Sequence, residues 1–260
     1  MRIQLYDIQP QLRAYVKVIC CMECDGDADW NQIRVLPDTC VELFLNYTSG
    51  PVAVIDKVLY NRSIISFRMS RPVDVQMRKG SGCLAICFHP GMAYPFFHRP
   101  MHLFKDATIN LSGLWNEMTS ELEEKLANLS DNEARVAMVQ EFLLRQLATG
   151  KQDLQVAYCL NQAQLSGGKI SVGKLVHETG ISQRQLSRRF QQSIGLSPKE
   201  YLGVCRFVSS LRYLTKYPQI SLTEVAYLSG YYDQAHFIRD YKVYTGHPPG
   251  EVATAKHILF

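Results

Sequence analysis

The chain has 260 residues, of which 47% are hydrophobic and 20% charged, which is ordinary for a globular protein. This length predicts two domains, each large enough to bury its own core. No run approaches eighteen consecutive apolar residues, and the start, MRIQLYDIQPQLR, lacks the apolar core of a signal peptide. We therefore expect a cytoplasmic protein with no membrane partner, whose eight cysteines are reduced thiols.

The net charge of +4 conceals an asymmetry between the two halves of the chain. From residue 152 onward there are twelve Lys and Arg against seven Asp and Glu, a balance of +5. Residues 1–151 hold the remaining sixteen against seventeen, a balance of −1. A basic carboxyl-terminal half attracts phosphate through counterion release. Taken alone, however, this charge fits a solvated basic surface better than a DNA-binding one.

The first 105 residues contain short β-branched or aromatic runs separated by turn-forming residues. The predicted strands are Tyr15–Met22, Val41–Leu45, Val52–Leu59, Ile64–Phe67 and Leu84–Phe88. The turn formers are Asp25-Gly26, Pro37-Asp38, Ser49-Gly50-Pro51, Asn61 and Gly80-Ser81-Gly82. Short strands at this spacing predict a β-barrel or a β-sandwich.

Two apolar stripes at helical spacing predict a helical hairpin over residues 113–148. Ser130-Asp131-Asn132 separates the stripes and resembles a helix cap. Such a hairpin can cover one side of a barrel. The first stripe is Leu114, Met118, Leu122, Leu126 and Leu129, and the second is Val136, Val139, Leu143 and Leu147, with Phe142 beside it.

The boundary between the two domains is predicted at a short linker, Thr149-Gly150-Lys151. This divides the chain into residues 1–150 and 151–260. Asp153 to Leu165 is predicted to be the first helix of the second domain, with Gly167-Gly168 as a turn inside it.

A duplicated segment dominates the second domain. Ile170–Pro198 reads ISVGKLVHETGISQRQLSRRFQQSIGLSP, and Ile220–Pro249 reads ISLTEVAYLSGYYDQAHFIRDYKVYTGHPP. Each copy predicts a short amphipathic helix, a glycine-containing turn and a longer helix, which is the helix-turn-helix pattern. With one inserted residue, the matched pairs are Ile170 and Ile220, Ser171 and Ser221, Leu175 and Val225, Gly180 and Gly230, Leu186 and Phe237, Arg188 and Arg239, Phe190 and Tyr241, Gly195 and Gly246, and Pro198 and Pro249.

The second helix of each copy is the predicted recognition helix. In the first copy, Ser182 caps a helix that runs from Gln183 to Ser193, and in the second copy Asp233 is the cap. Arginine can bind O6 and N7 of guanine together, while glutamine suits adenine. The polar faces comprise Gln183, Arg184, Ser187 and Arg188 in the first helix, and Gln234, Ala235, His236 and Arg239 in the second.

A single helix beginning at Pro198-Lys199-Glu200 is predicted to join the two copies. Its apolar stripe should hold them in a fixed relation. Recognition helices set roughly 34 Å apart could then enter successive major grooves on one face of DNA. The stripe residues are Tyr201, Val204, Val208, Leu211 and Leu214.

Two helix-turn-helix units joined by one helix, with the run GYYDQAHFIR from Gly230 to Arg239, resemble the AraC/XylS family of bacterial transcription regulators. The resemblance implies an α+β fold, in which a cupin-like β-barrel with a helical hairpin precedes an all-α double helix-turn-helix domain. It also implies which side chains touch bases. These are Arg184, Ser187, Arg188, Gln234, Ala235, His236 and Arg239, with Gln183 on a flank.

The same resemblance implies partners for both domains. It implies double-stranded DNA read in the major groove, a small-molecule effector, and no cofactor. It makes a homodimer through the hairpin and RNA polymerase further candidate partners. The effector is expected among barrel residues near the aromatic run Tyr94, Phe96 and Phe97. The runs PDTCVELFLN and ICFHPGMAYPFF resemble recurring motifs of one branch of such regulators.

Metal, redox or catalytic chemistry has weaker support in the sequence. Cys20, Met22 and Cys24 alternate on a predicted strand and no C-x-x-C pair faces a second, so we expect buried thiols at Cys20, Cys21, Cys24 and Cys40. His89, His98 and His102 lack the strand spacing of a cupin metal site. No nucleophile, phosphate-loop or dinucleotide motif is present, so an enzyme is not expected.

Two alternative functions stay open at this stage. One is a barrel-fold enzyme or metal sensor that carries the DNA module as a targeting arm. It would show a ligated metal, or a polar pocket with paired acid and base residues, in the barrel. The other is a nonspecific DNA-binding or partner-binding protein whose first domain is an oligomerisation platform. It would show a filled barrel and equal affinity for all duplexes.

Overall fold

The structure is a computed structural model that describes residues 1–24, 30–48, 50, 53–67, 70–147, 153–249 and 257–258. The predicted turn at Asp25-Gly26 and the predicted linker Thr149-Gly150-Lys151 lie outside these residues, as do Ser49, Pro51 and Val52. The division of the chain at residue 150 therefore stays a prediction. No helix in the described ranges is long and apolar enough to cross a membrane.

The amino-terminal region is built from short strands in two sheets. The six-stranded sheet has the order β1-β2-β9-β4-β7-β10, with all neighbours antiparallel. The five-stranded sheet has the order β11-β3-β8-β5-β6, and β11 pairs with β3 in parallel. The strands are β1 (Arg2–Tyr6), β2 (Val16–Glu23), β3 (Trp30–Val35), β4 (Glu42–Asn46), β5 (Ala53–Ile55), β6 (Val58–Tyr60), β7 (Ile64–Ser66), β8 (Val73–Arg78), β9 (Gly82–Phe88), β10 (Thr108–Asn110) and β11 (His257–Ile258).

The two sheets face each other across an apolar layer. Met22 and Cys83 of the six-stranded sheet pack with Ile33, Ile55 and Met77 of the five-stranded sheet. Side-chain packing joins the sheets, because no strand pairing between them occurs in the described residues. The sheets are therefore not closed into a barrel, and the cupin-like barrel is not confirmed.

Several strand predictions need correction. The predicted strand Val52–Leu59 is a hairpin of β5 and β6, because Asp56 and Lys57 adopt positive φ of 46° and 70° and form a two-residue turn. Strands β1, β3, β8, β10 and β11 were not predicted, and β11 departs from the all-α prediction for the second domain because it pairs with β3. In β8, buried Val73 and Met77 alternate with polar residues instead of forming an apolar run.

A helical layer covers the other face of the six-stranded sheet. It consists of α1 (Tyr94–Phe97), α2 (Ser112–Trp115), α3 (Glu117–Ala127) and α4 (Asn132–Gln146). Asp131 caps α4 by accepting a hydrogen bond from the backbone N–H of Ala134 at 2.8 Å. Leu122 and Val139 are buried against the sheet with Leu84. The apolar stripes of the predicted hairpin thus cover the sheet within one chain.

The carboxyl-terminal region is helical, apart from β11. Its helices are α5 (Leu154–Leu165), α6 (Val172–Thr179), α7 (Gln183–Ser193), α8 (Pro198–Lys216), α9 (Leu222–Leu228) and α10 (Gln234–Thr245). Helices α6 and α7 form the first helix-turn-helix unit, and α9 and α10 form the second. Helix α8 joins them. The mixed α/β fold with a carboxyl-terminal double helix-turn-helix region agrees with the sequence prediction.

Helix α8 lies at the centre of this region. Tyr201 and Val204 are buried with the first unit, and Phe207 is buried with the second. The ring of Phe207 lies 5.6 Å from that of Tyr241 and 4.8 Å from that of Tyr244. The sequence analysis missed Phe207, which is the fully buried residue at the point where the two units meet.

The turn between α5 and α6 packs closely against helix α8 and so holds the first unit in place. Gly168 has a φ of 78°, and its backbone lies so close to α8 that an added Cβ would be 2.4 Å from the Leu202 carbonyl oxygen. Arg206 Nη1 donates to the Gly168 carbonyl at 3.1 Å, and its guanidinium stacks 5.6 Å from the ring of Tyr231 in the second unit. One arginine therefore links this turn to the second unit.

We expect Gly168→Ala to destabilise the protein more than the matched variant Gly180→Ala. Both glycines have positive φ, 78° and 68°, so alanine costs each site about 1–2 kcal/mol. At Gly168 the new Cβ would also lie 2.7 Å from the Arg206 nitrogen, whereas no described atom lies within 4 Å at Gly180. This collision should add about 1–3 kcal/mol. Denaturant unfolding of the full chain measures the difference, and equal losses would show that the turn is not tightly held.

Candidate nucleic-acid interface

Helices α7 and α10 each begin at a well-formed cap. Ser182 Oγ accepts a hydrogen bond from the backbone N–H of Gln185 at 3.3 Å, and Gln185 Oε1 accepts one from the Ser182 N–H at 3.0 Å. Asp233 Oδ1 accepts a hydrogen bond from the His236 N–H at 2.7 Å. These caps satisfy backbone donors that a helix start leaves unpaired. They fix where the polar first turns of each helix begin.

The two recognition helices bury equivalent positions. Leu186 and Phe190 of α7 are fully buried, and so are their matched residues Phe237 and Tyr241 of α10. The opposite faces carry the polar residues singled out in the sequence. The duplication is therefore confirmed as a structural repeat.

On α7, Gln183, Arg184 and Arg188 are exposed, and Ser187 is half-buried. Neither Arg184 nor Arg188 has a hydrogen-bond or ion-pair partner in the part of the chain that the structure describes. Both guanidinium groups can thus offer their donors to another molecule. A pair of forked donors near one helix start suits the acceptor edge of guanine in the major groove.

Arg189, which adjoins this face, is committed to the protein itself. Its Nη1 donates to Gln155 Oε1 at 2.6 Å and lies 3.3 Å from Asp153 Oδ2. Both partners lie at the start of α5. Arg189 therefore ties the recognition helix to α5.

On α10, Gln234, Ala235 and Arg239 are exposed. Arg239, like the matched Arg188, has no hydrogen-bond or ion-pair partner among the described residues. The Thr223 hydroxyl donates to Gln234 Oε1 at 2.8 Å, so the amide nitrogen is the end that remains to donate to a base. Ala235 can offer only a methyl group, which suits thymine.

His236 differs from the other seven predicted residues because it packs against its own unit. Its ring stands edge-on to Tyr231 with the ring centres 5.1 Å apart, and its Nε2 lies 3.6 Å from Asp240 Oδ2. The side chain is half-buried. Any contact from His236 to DNA would have to preserve or replace these interactions.

Two exposed aromatic residues of the second unit were missed in the sequence analysis. Tyr227 is 80% exposed at the end of α9, and Tyr232 is 89% exposed immediately before the Asp233 cap. Large exposed rings beside a polar face are an informative exception to normal burial. The sequence signal for Tyr232 was the pair of adjacent tyrosines in GYYDQAHFIR. In the structure the first of the pair, Tyr231, is buried and the second is exposed.

The amino-terminal region contacts the first unit and the start of helix α8 through polar groups. Lys105 Nζ donates to Glu200 Oε1 of helix α8 at 2.7 Å. Burial tends to raise the pKa of Glu200, but hydrogen bonds from Lys105 and Ser197 outweigh it and lower the pKa to about 2. Gln192 of α7 donates to the Tyr94 hydroxyl at 3.1 Å. A continuous apolar cluster lies behind these contacts.

A different segment contacts the second unit. Leu36 is buried in the same cluster as Phe237 and Tyr241. Arg34 Nη1 donates to the Thr245 carbonyl at 3.4 Å, near the end of α10. The ion pair between Arg34 and Asp74 holds the guanidinium in place at 2.7 Å and lowers the pKa of Asp74. Both helix-turn-helix units are therefore docked on the amino-terminal region.

The space between the two sheets is too small for the expected effector. Its cavity has a volume of about 40 Å³, far below the 300–1,000 Å³ of typical ligand sites. Phe96 and Phe97 are buried, and Phe97 stacks on Trp115 with the ring centres 5.1 Å apart. Tyr94 alone of the aromatic run lines a larger cavity, of about 250 Å³, against α5 and α7. Two larger cavities, of about 250 Å³ and 630 Å³, lie at the boundary between the two regions.

The predicted thiols are buried, as expected. Cys20, Cys21, Cys24 and Cys40 form no disulfide with a described residue, and all four are nearly inaccessible. Burial raises the pKa of Cys20 to about 12 and that of Cys21 to about 11, so both stay protonated at neutral pH. Among the described residues, no three His, Cys, Asp or Glu side chains are grouped so as to hold a metal ion.

Comparison with known families gives one match in each region. Residues 175–255 match the family described as a helix-turn-helix domain. Residues 6–110 match a domain of unknown function, DUF6597.

Individual relatives match parts of the chain. The HTH-type transcriptional regulator GbdR of Pseudomonas aeruginosa is 34% identical over 107 residues, which are 41% of this chain and 29% of that protein. The Msm operon regulatory protein of Streptococcus mutans is 28% identical over 170 residues, 63% of this chain and 56% of that protein. The chain thus spans less than two thirds of the length of either relative.

Solved structures of ToxT from Vibrio cholerae resemble the whole chain more distantly. One is 14% identical with a TM-score of 0.44, and covers 96% of this chain and 97% of ToxT. Another is ToxT with an unsaturated fatty acid bound, 12% identical with a TM-score of 0.43.

We expect Lys105→Met to raise the pKa of Glu200, because it removes a hydrogen bond and a positive charge from the carboxylate. The pKa of Glu200 is lowered in the folded state, so its stabilising effect is present above its ordinary value of 4.5. That effect is lost as the pH falls towards about 2. The stability difference between wild type and Lys105→Met should therefore be full near neutral pH and vanish in acid.

Carboxyl titration by NMR and denaturant unfolding at several pH values would measure both effects. Lys125→Met is the matched control, because Lys125 pairs only loosely with Glu121, at 4.0 Å on an exposed helix face. An unchanged titration of Glu200 in Lys105→Met would contradict the assignment of this interface contact.

Proposed function

The chain belongs to the AraC/XylS family of transcription regulators, and from this premise we propose that it binds specific duplex sequences through both helix-turn-helix units and regulates transcription. The observation that carries the proposal is the repeated arginine. Arg188 and Arg239 occupy equivalent positions on two capped recognition helices, and both are exposed with no described partner. Neither arginine binds another described residue, although both copies of the duplicated segment have arginine at this position. A contact with another molecule explains this best.

Each polar residue has a proposed role. Arg184, Arg188 and Arg239 bind guanine edges, and Gln183 and Gln234 donate to base acceptors. Ser187 contributes a short hydroxyl between the two arginines of α7, while Ala235 and His236 complete the surface of α10. The roles follow from exposure and donor geometry.

The packing of both units on helix α8 supports reading by a single chain. Helix α8 joins them, and Phe207 and Arg206 fix the second unit against it. We infer that the recognition helices enter successive major grooves, roughly 34 Å apart, on one face of the duplex. Such a chain reads an asymmetric site without needing a second copy. The exposed hydroxyls of Tyr227 and Tyr232 suit phosphate contacts beside α10.

Regulation is proposed to act through the amino-terminal region, because that region contacts both units. A small molecule that binds between the amino-terminal region and the DNA-binding region would alter how the two helix-turn-helix units are held. Dimerisation is proposed only through surfaces other than the buried stripes of α3 and α4, since Leu122 and Val139 are already covered by the sheet. RNA polymerase stays a proposed partner on the same family basis.

A second candidate function has one observation in its favour. The cavity between the sheets is only about 40 Å³, which matches the filled amino-terminal domain expected of an oligomerisation platform. The protein would then combine an oligomerisation platform with nonspecific DNA binding. Equal affinity for all duplexes would establish this candidate over sequence-specific regulation.

We expect Arg188→Ala and Arg239→Ala each to weaken binding to the preferred duplex by about 1–3 kcal/mol, with a smaller loss on a scrambled duplex. The preferred duplex is first selected from a random pool with the full chain. Unfolding stability should change by less than about 0.5 kcal/mol, because both side chains are exposed. Arg145→Ala is the control, since Arg145 is an exposed arginine on α4 paired only with Glu141 at 3.3 Å.

Fluorescence titrations of the full-length variants on both duplexes would measure these losses. Equal loss on the two duplexes would make the arginines phosphate contacts and would favour nonspecific binding. Unchanged affinity would remove them from the interface.

A further inference from the structure

The first residue of each recognition helix is a glutamine. Gln183 begins α7 and Gln234 begins α10, each directly after the cap. The two glutamines are equivalent, because they lie three residues before the matched buried residues Leu186 and Phe237. Both glutamines are exposed. The surroundings of their two amide groups nevertheless differ.

In the second unit, a threonine hydroxyl holds the glutamine amide. Thr223 Oγ1 donates to Gln234 Oε1 at 2.8 Å. The carboxylate of Glu224, the next residue, accepts from the Ser221 N–H and hydroxyl at 3.1 and 2.7 Å, so it is engaged in the cap of α9. Neither Thr223 nor Gln234 has another hydrogen-bond partner among the described residues. The Gln234 oxygen therefore faces α9, and the NH₂ group is the end left to donate.

The first unit has no hydroxyl at the equivalent place. Thr223 is the second residue of α9, and Gly173 is the second residue of α6. These two residues match, because each lies three residues after the isoleucine that begins its copy, Ile170 or Ile220. Gln183 has no hydrogen-bond partner in the part of the chain that the structure describes. Its amide can therefore turn both its oxygen and its nitrogen towards a base.

A glutamine that can donate and accept together suits adenine, whereas one that can only donate suits guanine. In the major groove adenine presents an acceptor, N7, beside a donor, the N6 amino group, and guanine presents two acceptors, N7 and O6. Pairing with adenine at both points needs the amide oxygen and nitrogen to face the base side by side. The Gln234 oxygen has a second lone pair, but the bond to Thr223 turns this oxygen towards α9.

We propose that Thr223 is a positioning residue that sets the base preference of the second unit. It restricts Gln234 to donating, so that Gln234 reads guanine. Gln183, which has Gly173 at the matched place, reads adenine. The two units thus read different bases with the same side chain. This inference rests on the proposed function, because it requires both recognition helices to contact bases.

The test begins by locating the base pair that each glutamine contacts. A duplex is selected from a random pool with the full chain, and each base pair of the site is then replaced in turn by the other three. The pair that Gln234 contacts is the one whose replacement weakens binding of the wild type but not of Gln234→Ala. Gln183→Ala locates the pair of the first unit in the same way.

Thr223→Val removes the hydroxyl, keeps the branched shape and so releases the Gln234 amide. We expect the wild type to prefer guanine at the Gln234 pair. Thr223→Val should raise the affinity for adenine relative to guanine about fivefold or more. Thr223→Ser keeps a hydroxyl and should keep the preference of the wild type. Thr215→Val is the control, because the exposed Thr215 of helix α8 donates to the Leu211 carbonyl of its own helix, at 2.9 Å.

The first unit allows the reciprocal change. Apart from chain neighbours and the backbone of its own helix, an added Cβ at Gly173 would have one described atom within 4 Å, Ser171 Oγ at 3.9 Å. A side chain therefore fits, and Gly173→Thr should shift the preference at the Gln183 pair from adenine towards guanine. Gly173→Ala adds the Cβ without the hydroxyl and should leave the preference unchanged. Continued preference of Gly173→Thr for adenine would overturn the explanation of the difference between the units.

The ratio of affinities for the four bases is the readout, because a less stable variant would lose affinity for every duplex alike. An equal change for all four bases in Thr223→Val would make Thr223 a phosphate contact and overturn the proposal. Adenine as the preferred base at the Gln234 pair of the wild type would also overturn it.

The same titrations separate this inference from the proposed function. If Gln234→Ala abolishes a base preference that Thr223→Val leaves unchanged, the inference fails and the proposed function stands. If the wild type binds the selected and scrambled duplexes equally, both fail.

Discussion

The close approach of the α5–α6 turn to helix α8 is the constraint on which the DNA-binding region depends. Gly168 leaves no room for a side chain against the Leu202 carbonyl, and Arg206 reaches from α8 to that turn and to Tyr231. Lys169, the next residue, packs where Gly230 has no side chain and donates to the Leu228 carbonyl at 3.4 Å. The turn before the first unit thus touches the turn inside the second. Two short helical units that each bury few residues gain a fixed relation in this way.

The amino-terminal region adds a second constraint, because it contacts each unit through a different segment. Tyr94 reaches the first unit and Lys105 reaches the start of helix α8, whereas Arg34 and Leu36 reach the second unit. The first unit shares a continuous apolar cluster with the sheets. A change at this boundary therefore affects the relation between the units, and regulation needs no direct contact with the base-reading side chains. The cavity between the two sheets is only about 40 Å³, whereas a cavity of about 630 Å³ lies between the two regions.

The predictions that succeeded depended on local signals. Ser182 and Asp233 fixed the starts of the recognition helices, and the period of Leu186 and Phe190 fixed the buried face. The predicted bounds of α7, Gln183 to Ser193, are those observed. Because the helix-turn-helix pattern occurs twice, the prediction for each copy supports the prediction for the other. The amino-acid sequence could therefore predict the double helix-turn-helix region and its exposed residues, although their contacts with DNA stay predictions.

The predictions that failed concern contacts between residues that are distant in the chain. The pairing of strands into two sheets instead of a closed barrel is decided by long-range packing, which no local period records. Phe96 and Phe97 read as a ligand surface but are buried, because α1 packs into the core between β9 and Trp115. Phe207 escaped notice because its partners, Tyr241 and Tyr244, lie more than thirty residues later. The cavity of about 630 Å³ between the two regions could not be predicted, since residues from both halves of the chain line it.

Methylation protection of guanine N7 on the selected duplex tests the central claim most directly, because this atom lies in the major groove. The account predicts two protected groups of guanines, about 10 base pairs apart on one face, bound by a single chain. One protected group, or protection spread evenly along the duplex, would contradict the claim that both units read successive major grooves.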